Sequence, residues 1–405
     1  MLKRSKRILV YIRRNKEFNN NVIRFSKEFF SSESLKYISE YNTTDLYLNL
    51  NDDSGDYCPE TQAFIEEQID LGKVIFRDRV LRNMPVKNAI IQVKRAVYSV
   101  KKHLCDYNCD TLITYPVDNY VQDVLCQIAN IYGIKIYGLS NFFISGYKRI
   151  TTYGEHNVVR EPSDEEVEQV VSQLSSGFRS HMAFSKRLAI RLAIMRYVRN
   201  KARFLIFHII IRKLMGRREY DFLATPHVAT VRDLSSFLSL LYFDSKVKIS
   251  GKSILIPLHY YPEATLEYWT NNVLCAEFEN TLLTKISELS KMYNTIVVKE
   301  HPAMVFNNKL SFYKKLRAFK NVTLIDPFVS TSDLFDSVDT LCCWTGSAGI
   351  EFLINDKEVL FCSDNYYIQA SEELSAKLEH SRNSTVSIDD KKLFIKQILS
   401  GTIQW

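Results

Sequence analysis

Apolar and polar positions along the chain fall into two long series in which strand-like runs alternate with helix-like ones. In the first, Arg7–Ile12, Leu46–Asn49, Val74–Phe76, Thr111–Tyr115 and Ile134–Tyr137 are short apolar runs of the kind that build buried strands. Between them, apolar residues three and four positions apart predict helices near Asn20–Phe30, Thr61–Leu71, Lys87–Tyr107 and Tyr120–Tyr132. The second series places strands at Ser253–Leu258, Thr295–Lys299, Val322–Ile325, Thr340–Trp344 and Glu358–Cys362, with helices near Glu277–Tyr293, Lys309–Phe319, Ser332–Ser337 and Ala348–Ile354. Strands that alternate with helices imply mainly parallel sheets covered on both faces. The expected fold class is therefore α/β, with two doubly wound, Rossmann-like domains facing each other across a cleft. Glu161-Pro162-Ser163-Asp164-Glu165-Glu166 reads as a helix start, Ser163 being the cap and Glu166 standing at the capping-box position. It opens a helical middle region, so the expected divisions are 1–165, 166–245 and 246–405.

Length and composition agree with two domains: 405 residues at 46% hydrophobic suffice for two cores, and no stretch is low in complexity. The basic start, Met1 to Arg7, precedes an apolar run, Ile8–Ile12, too short for a signal-peptide core. No apolar run approaches the roughly 20 residues that span a bilayer. The eight cysteines are scattered, and neither Cys105/Cys109 nor Cys342-Cys343 has a second pair at zinc-site spacing, which favours reduced thiols in a cytoplasmic protein. The net charge of +7 is unevenly placed, because no acidic residue occurs from Gln169 to Arg218. Basic residues between Arg179 and Arg218 alternate there with Phe184, Leu188, Ile194, Tyr197, Phe204, Phe207, Ile210 and Leu214. Basic amphipathic helices on an anionic membrane surface are the favoured reading, against interdomain helices with solvated basic faces. No nucleic-acid motif accompanies the charge, so nucleic acid is not an expected partner.

Chemistry-bearing residues cluster at strand ends of the second series: His259 and Glu263, Lys299 and His301, Asp326, then Thr345 and Ser347. Parallel strands end on one rim, so these residues are expected to converge. His301, followed by Pro302, is placed to donate to a phosphate oxygen and Lys299 to neutralise one. Ser347 with the N–H groups of Ala348 and Gly349 is placed to hold the rest. Gly346 and Gly349 each weaken a helix start by about 1 kcal/mol, which argues for close backbone approach by a ligand. The plainer alternative makes Ser347 a helix cap and Gly349 a packing glycine. Glu351 suits either the helix dipole or a ribose hydroxyl. In the first series Asp118, just after Thr111–Tyr115, is the candidate general base, or else the N-cap of a helix beginning at Asn119 or Tyr120. Arg149, Tyr153, Glu155 and His156 form a polar loop that suits an anionic acceptor. Arg77, Asp78 and Arg79 occupy a similar rim or form a surface ion-pair cluster.

Four ordered segments then carry a family resemblance: Ile256-Pro257-Leu258-His259-Tyr260-Tyr261-Pro262-Glu263-Ala264-Thr265, Lys299-Glu300-His301-Pro302, Asn321-Val322-Thr323-Leu324-Ile325-Asp326-Pro327, and Thr345-Gly346-Ser347-Ala348-Gly349-Ile350-Glu351-Phe352-Leu353. Over residues 253–363 the chain resembles the bacterial capsule polysaccharide biosynthesis proteins, which include Kdo transferases of capsule assembly. The resemblance implies a GT-B glycosyltransferase fold and a metal-independent donor site in which His301 and the Ser/Thr-Gly turn hold the nucleotide phosphate. It also implies that Glu263 lines the cleft near the donor. The chain departs from the family pattern at Ala303-Met304-Val305, where glycine often follows His-Pro, and at Asn355-Asp356-Lys357-Glu358, which replaces a more usual Gly-Lys-Pro.

The expected function is transfer of a sugar from a nucleotide-sugar donor, CMP-Kdo or similar, to a growing surface polysaccharide or lipid-linked glycan. The donor would be a substrate, with no separate cofactor or metal, and the enzyme peripheral at the inner face of the membrane. The rivals are a sugar-nucleotide epimerase or polyol-phosphate transferase on the same scaffold, and a non-catalytic partner in polysaccharide assembly.

Overall fold

Five strands of the N-terminal half lie parallel in the order β3-β2-β1-β4-β5: β1 (Lys3–Tyr11), β2 (Phe30–Ser39), β3 (Leu46–Tyr47), β4 (Thr111–Thr114) and β5 (Lys135–Asn141). The central position of β1 follows from its sequence, since Ile8, Leu9, Val10 and Tyr11 are all buried, as a strand covered on both faces requires. Its register sets Ile8 against Thr111 and Val10 against Ile113. A sixth strand, β6 (Tyr147–Ile150), folds back antiparallel on β5.

The C-terminal half repeats the plan with β7 (Ser253–Pro257), β8 (Thr295–Lys299), β9 (Val322–Ile325), β10 (Thr340–Cys343) and β11 (Glu358–Phe361), all parallel in the order β11-β10-β7-β8-β9. The last strand, β12 (Thr402–Gln404), leaves this half and pairs antiparallel with β6, Thr402 facing Arg149. The structure is a computed structural model, and it describes residues 3–13, 16–42, 44–52, 54, 58–176, 186–203, 206, 210, 214, 234–245, 249–380 and 386–405. Of the basic segment, Arg179, Phe184, Phe204, Phe207, Arg212, Lys213, Arg217 and Arg218 therefore lie outside the described residues.

The expected α/β class with two doubly wound domains is the observed one. Each sheet reverses strand order beside its first strand, at β1/β4 and at β7/β10, and in open parallel sheets ligands bind beyond the strand ends at that reversal. The capping box of the helix Asp164–Ser175 is formed, with Ser163 Oγ accepting from the Glu166 N–H at 3.2 Å and Glu166 Oε2 accepting from the Ser163 N–H at 2.9 Å. That helix buries Val167, Val170, Val171 and Leu174 in the core of the C-terminal half.

Two local readings are corrected. Val74–Phe76 lies in a helix, Leu71–Arg77, nucleated by the Asp70 carboxylate, which accepts from the Lys73 N–H at 2.9 Å. The strand beside β1 is β2, which the apolar pattern does not predict, since its start, Ser31-Ser32-Glu33, is exposed and carries no apolar alternation.

Candidate functional site

At the β1/β4 reversal the chain sets Arg13 against Asp118. Arg13 Nη1 donates to Asp118 Oδ2 at 2.8 Å, and Nη2 reaches both Asp118 Oδ1 and Gln122 Oε1. The guanidinium lies over the Tyr115 ring, 5.2 Å from its centroid. Burial pushes the Asp118 carboxyl up, but Arg13 outweighs it and holds the group below its ordinary value. Asp118 is not the N-cap of the following helix: Asn119 is, accepting from the Gln122 N–H at 2.9 Å. A carboxylate fixed ionised by a bidentate arginine is an electrostatic group more than a proton acceptor.

At the β7/β10 reversal and on β8, His259 lies near both His301 and the Gly346 turn. The His301 N–H donates to Glu300 Oε1 at 2.7 Å, and its Nδ1 accepts from the Ala303 N–H at 3.1 Å. In the neutral ring that assigns the proton to Nε2, leaving Nε2–H as a donor. Burial, with Lys299 and Arg196 nearby, lowers His301 to about 4, so it acts as a neutral donor at physiological pH. Glu300 anchors the loop from below, also accepting from Tyr313 Oη at 2.6 Å and Asn308 Nδ2 at 2.8 Å. Pro302 opens the short 3-10 turn Pro302–Met304. Lys299 is buried, donates to the Pro327 carbonyl at 3.3 Å, and is lowered by burial to about 8.

The turn after β10 divides into separate roles. Ser347 holds the N-cap position of the helix Ala348–Ile354 yet makes no side-chain cap bond. Thr345 Oγ1 is buried and finds no hydrogen-bond partner among the described residues. Gly349 is a packing glycine, since a Cβ there would stand 2.3 Å from Tyr367 Oη, and its N–H bends back to the Gly346 carbonyl at 3.5 Å. The same Tyr367 hydroxyl donates to the Gly346 carbonyl at 2.6 Å and fixes the turn. A Cβ on Gly346 would meet only His259 Cε1 at 3.8 Å and Cys343 Sγ at 4.0 Å. Burial alone raises Glu351 to about 7, so this carboxyl is poised between its neutral and charged forms.

Between the two rims stands Glu263, which ends the loop after β7 and precedes the one-turn helix Ala264–Glu267. Its Oε2 accepts from Thr265 Oγ1 at 2.8 Å. Burial raises its carboxyl, Arg79 opposes the rise, and Asp118 across the cleft adds to it. The two cleft carboxyls thus have environments that push them apart, Asp118 down and Glu263 up.

Arg77, Asp78 and Arg79 are neither a strand rim nor a surface cluster; they are buried and tie the domains together. Arg79 pairs with Glu267 at 2.6 Å and donates to the Asp118 carbonyl at 3.2 Å, and Arg82 pairs with the same Glu267 at 2.7 Å. Arg77 donates to the Thr270 carbonyl at 3.0 Å, and Asp78 accepts from Tyr268 Oη at 2.9 Å. The polar loop offered for an anionic acceptor is spent internally. Arg149 is buried, 3.7 Å from the Tyr366 ring centroid, and donates to the Gly154 and Glu155 carbonyls. Glu155 accepts from the Thr152 and Tyr153 N–H groups, Tyr153 Oη donates to Asp123 at 2.8 Å, and His156 meets Ser400 Oγ at 3.2 Å.

Sequence reasoning passed over Arg13 and counted Arg196 only among the basic residues of the middle region. A basic residue directly after the first buried strand was the available signal for Arg13. Arg196 lies in the basic helix Lys186–Arg203, and its Nη1 donates to the Ala303 carbonyl at 3.1 Å, so that helix leans on the His301 loop.

Imidazole, hydroxyl and carboxylate groups thus stand at the strand ends of a two-domain α/β protein with two doubly wound sheets. Residues 244–392 match the model of a family described as capsule polysaccharide biosynthesis protein. Among solved structures, KpsC of Thermosulfurimonas dismutans in its beta Kdo 2,7 transferase part is similar at 12% identity and TM-score 0.41, over 98% of this chain and 89% of that one. Its beta Kdo 2,4 transferase part is similar at 12% identity and TM-score 0.34, over 71% and 78%. UDP-GlcNAc 2-epimerase of Methanocaldococcus jannaschii, solved with UDP-GlcNAc and UDP, is similar at 10% identity and TM-score 0.29, over 96% and 98%. No curated protein matches the sequence.

Proposed function

We propose that the protein is a glycosyltransferase that moves a sugar from a nucleotide-sugar donor, CMP-Kdo or a related one, to a growing surface polysaccharide or lipid-linked glycan at the inner face of the membrane. The supporting observation is the placement of the Arg13/Asp118 pair and of the 345–349 turn at the two strand-order reversals. In this reading the donor phosphate lies against His301 Nε2–H, Thr345 and Ser347, with Lys299 beneath and Glu351 toward the ribose. The acceptor hydroxyl oxygen bonds to the anomeric carbon, the bond from that carbon to the phosphate oxygen breaks, and the phosphate keeps the electron pair. Glu263 takes the acceptor proton, and Asp118 with Arg13 fixes the field around it. No cofactor enters, and activity retained in chelator tests the metal-independent part of the reading.

A thermal-shift screen against CMP, UDP, GDP, CDP and dTDP should show preferential stabilisation by one nucleotide, lost in His301→Ala. No shift with any of them moves the weight to an assembly-partner role. Product analysis separates transfer, which releases the free nucleotide, from epimerisation, which returns a sugar nucleotide.

Glu263 supplies the pH dependence. The base must be ionised, so turnover should fall as pH drops through a value above the ordinary glutamate 4.5, because burial raises the group. Glu263→Gln should cost about 10²–10⁴-fold in turnover and remove that acid limb. An unchanged limb in the variant would assign it to another group.

A further inference from the structure

The helix Lys186–Arg203 has two faces with different tasks. Its inward face packs on the donor-side loop. Ala193 is buried against Val305 and Phe306, the Tyr197 ring stands 6.1 Å from that of Phe306, and Arg196 donates to the Ala303 carbonyl. At 100° per residue, the exposed positions fall on the opposite arc of about 140°. That arc carries Arg187, Arg191 and Arg199, with Leu188, Met195 and Val198 between them at 41%, 58% and 59% exposure. Ile206, Ile210 and Leu214, each four residues apart, are exposed as well. Among the described residues no helix is long and apolar enough to cross a membrane.

We propose that the outward face of this helix docks on an anionic lipid surface while its inward face holds the His301 loop, so that the cleft is fixed beside the bilayer. Charge complementarity chooses the occupant. Arginines and large apolar side chains share one face without a single acid from Gln169 to Arg218, so guanidinium groups reach phosphate headgroups while Met195 and Val198 enter the acyl boundary. A nucleic acid has no use for the apolar half of that face. The helix departs here from an ordinary amphipathic pattern, because Arg196 is turned inward to the loop and its outward arginines are mixed with apolar residues. The inference reaches beyond the transferase reading, since it holds for any chemistry housed in the cleft.

The test is co-sedimentation of the full chain with phosphatidylglycerol–phosphatidylcholine vesicles, against pure phosphatidylcholine vesicles, at low and high salt. The wild type should partition onto the anionic vesicles and release with salt. Arg187→Gln and Arg191→Gln should each lower partition about fivefold, and Met195→Glu with Val198→Glu at least tenfold, all with unchanged circular dichroism. Absence of binding by the wild type, or binding indifferent to these substitutions, overturns the proposal. A dimer seen by sedimentation that Met195→Glu with Val198→Glu dissolves, without vesicle binding, assigns the face to a second copy and overturns it equally. None of these readouts depends on nucleotide binding, so failure here removes the membrane placement and leaves the transfer chemistry standing, and the reverse holds too.

Discussion

His301→Asn is expected to lose about 10²–10³-fold in turnover while melting at the wild-type temperature. The imidazole has two jobs that its two nitrogens divide. Nδ1 accepts from the Ala303 N–H and shapes the loop, and Nε2–H is left for the ligand. Asparagine places its Oδ1 near the Nδ1 position, keeps the acceptor and gives up the distal donor. Glutamine does the opposite, reaching the Nε2 position with an N–H while abandoning the loop bond. The ring is neutral at pH 7, since burial lowers it to about 4, so the loss is that of a hydrogen bond strengthened in the transition state and not of a positive charge. Turnover measured with the nucleotide-sugar selected by the screen decides the point. Wild-type turnover in the asparagine variant, or a glutamine variant worse than asparagine, would falsify the assignment of Nε2 to the donor.

The second large effect is on stability. Glu267 is fully buried between Arg79 and Arg82, whose side chains are 7% and 12% exposed. Burial raises its carboxyl and the two arginines oppose that rise. Glu267→Ala removes the buried carboxylate that pairs with both guanidinium groups at the domain junction. Removing one member of a buried ionic group costs about 3–5 kcal/mol. The expected result is an earlier urea midpoint with early exposure of Trp269, whose Nε1 donates to the Val117 carbonyl at 3.0 Å across the same junction. A midpoint equal to the wild type would show that the arginines find other acceptors. Exchange of all three residues for apolar ones of similar volume should recover much of the loss, because desolvation of the ions then vanishes with their attraction.

Most of the C-terminal half was legible because its strands are short, apolar and bounded by polar ends: Thr295–Lys299 and Val322–Ile325 match the observed strands, as Ala348–Ile354 matches its helix. In the N-terminal half, propensity misled at Val74–Phe76, where a capping aspartate decides for helix, and at β2, whose exposed start hides a strand aligned by β1. The pairing of β6 with β12 joins segments some 250 residues apart and has no local signal. The site shows the same division. His301, Glu263, Thr345 and Ser347 could be found because each follows a strand whose direction the parallel sheet dictates. The state of Asp118, the burial of Arg77 to Arg79 and the inward turn of Arg196 depend on what the other domain or the middle helix brings, and no spacing within one segment carries that.

The chain passes between the two domains twice, and the passages are laced together. The Ile150 N–H donates to the Gly401 carbonyl at 3.1 Å, the Val159 N–H to the Ser400 carbonyl at 2.8 Å, and Arg160 Nε to the Thr402 carbonyl at 2.9 Å. A single strand of linker would leave the halves free to swing and twist in any direction. Two linkers bonded side by side remove many of those degrees of freedom. The same lacing leaves the β6 edge of the N-terminal sheet without its partner until synthesis has reached β12, at the far end of the sequence.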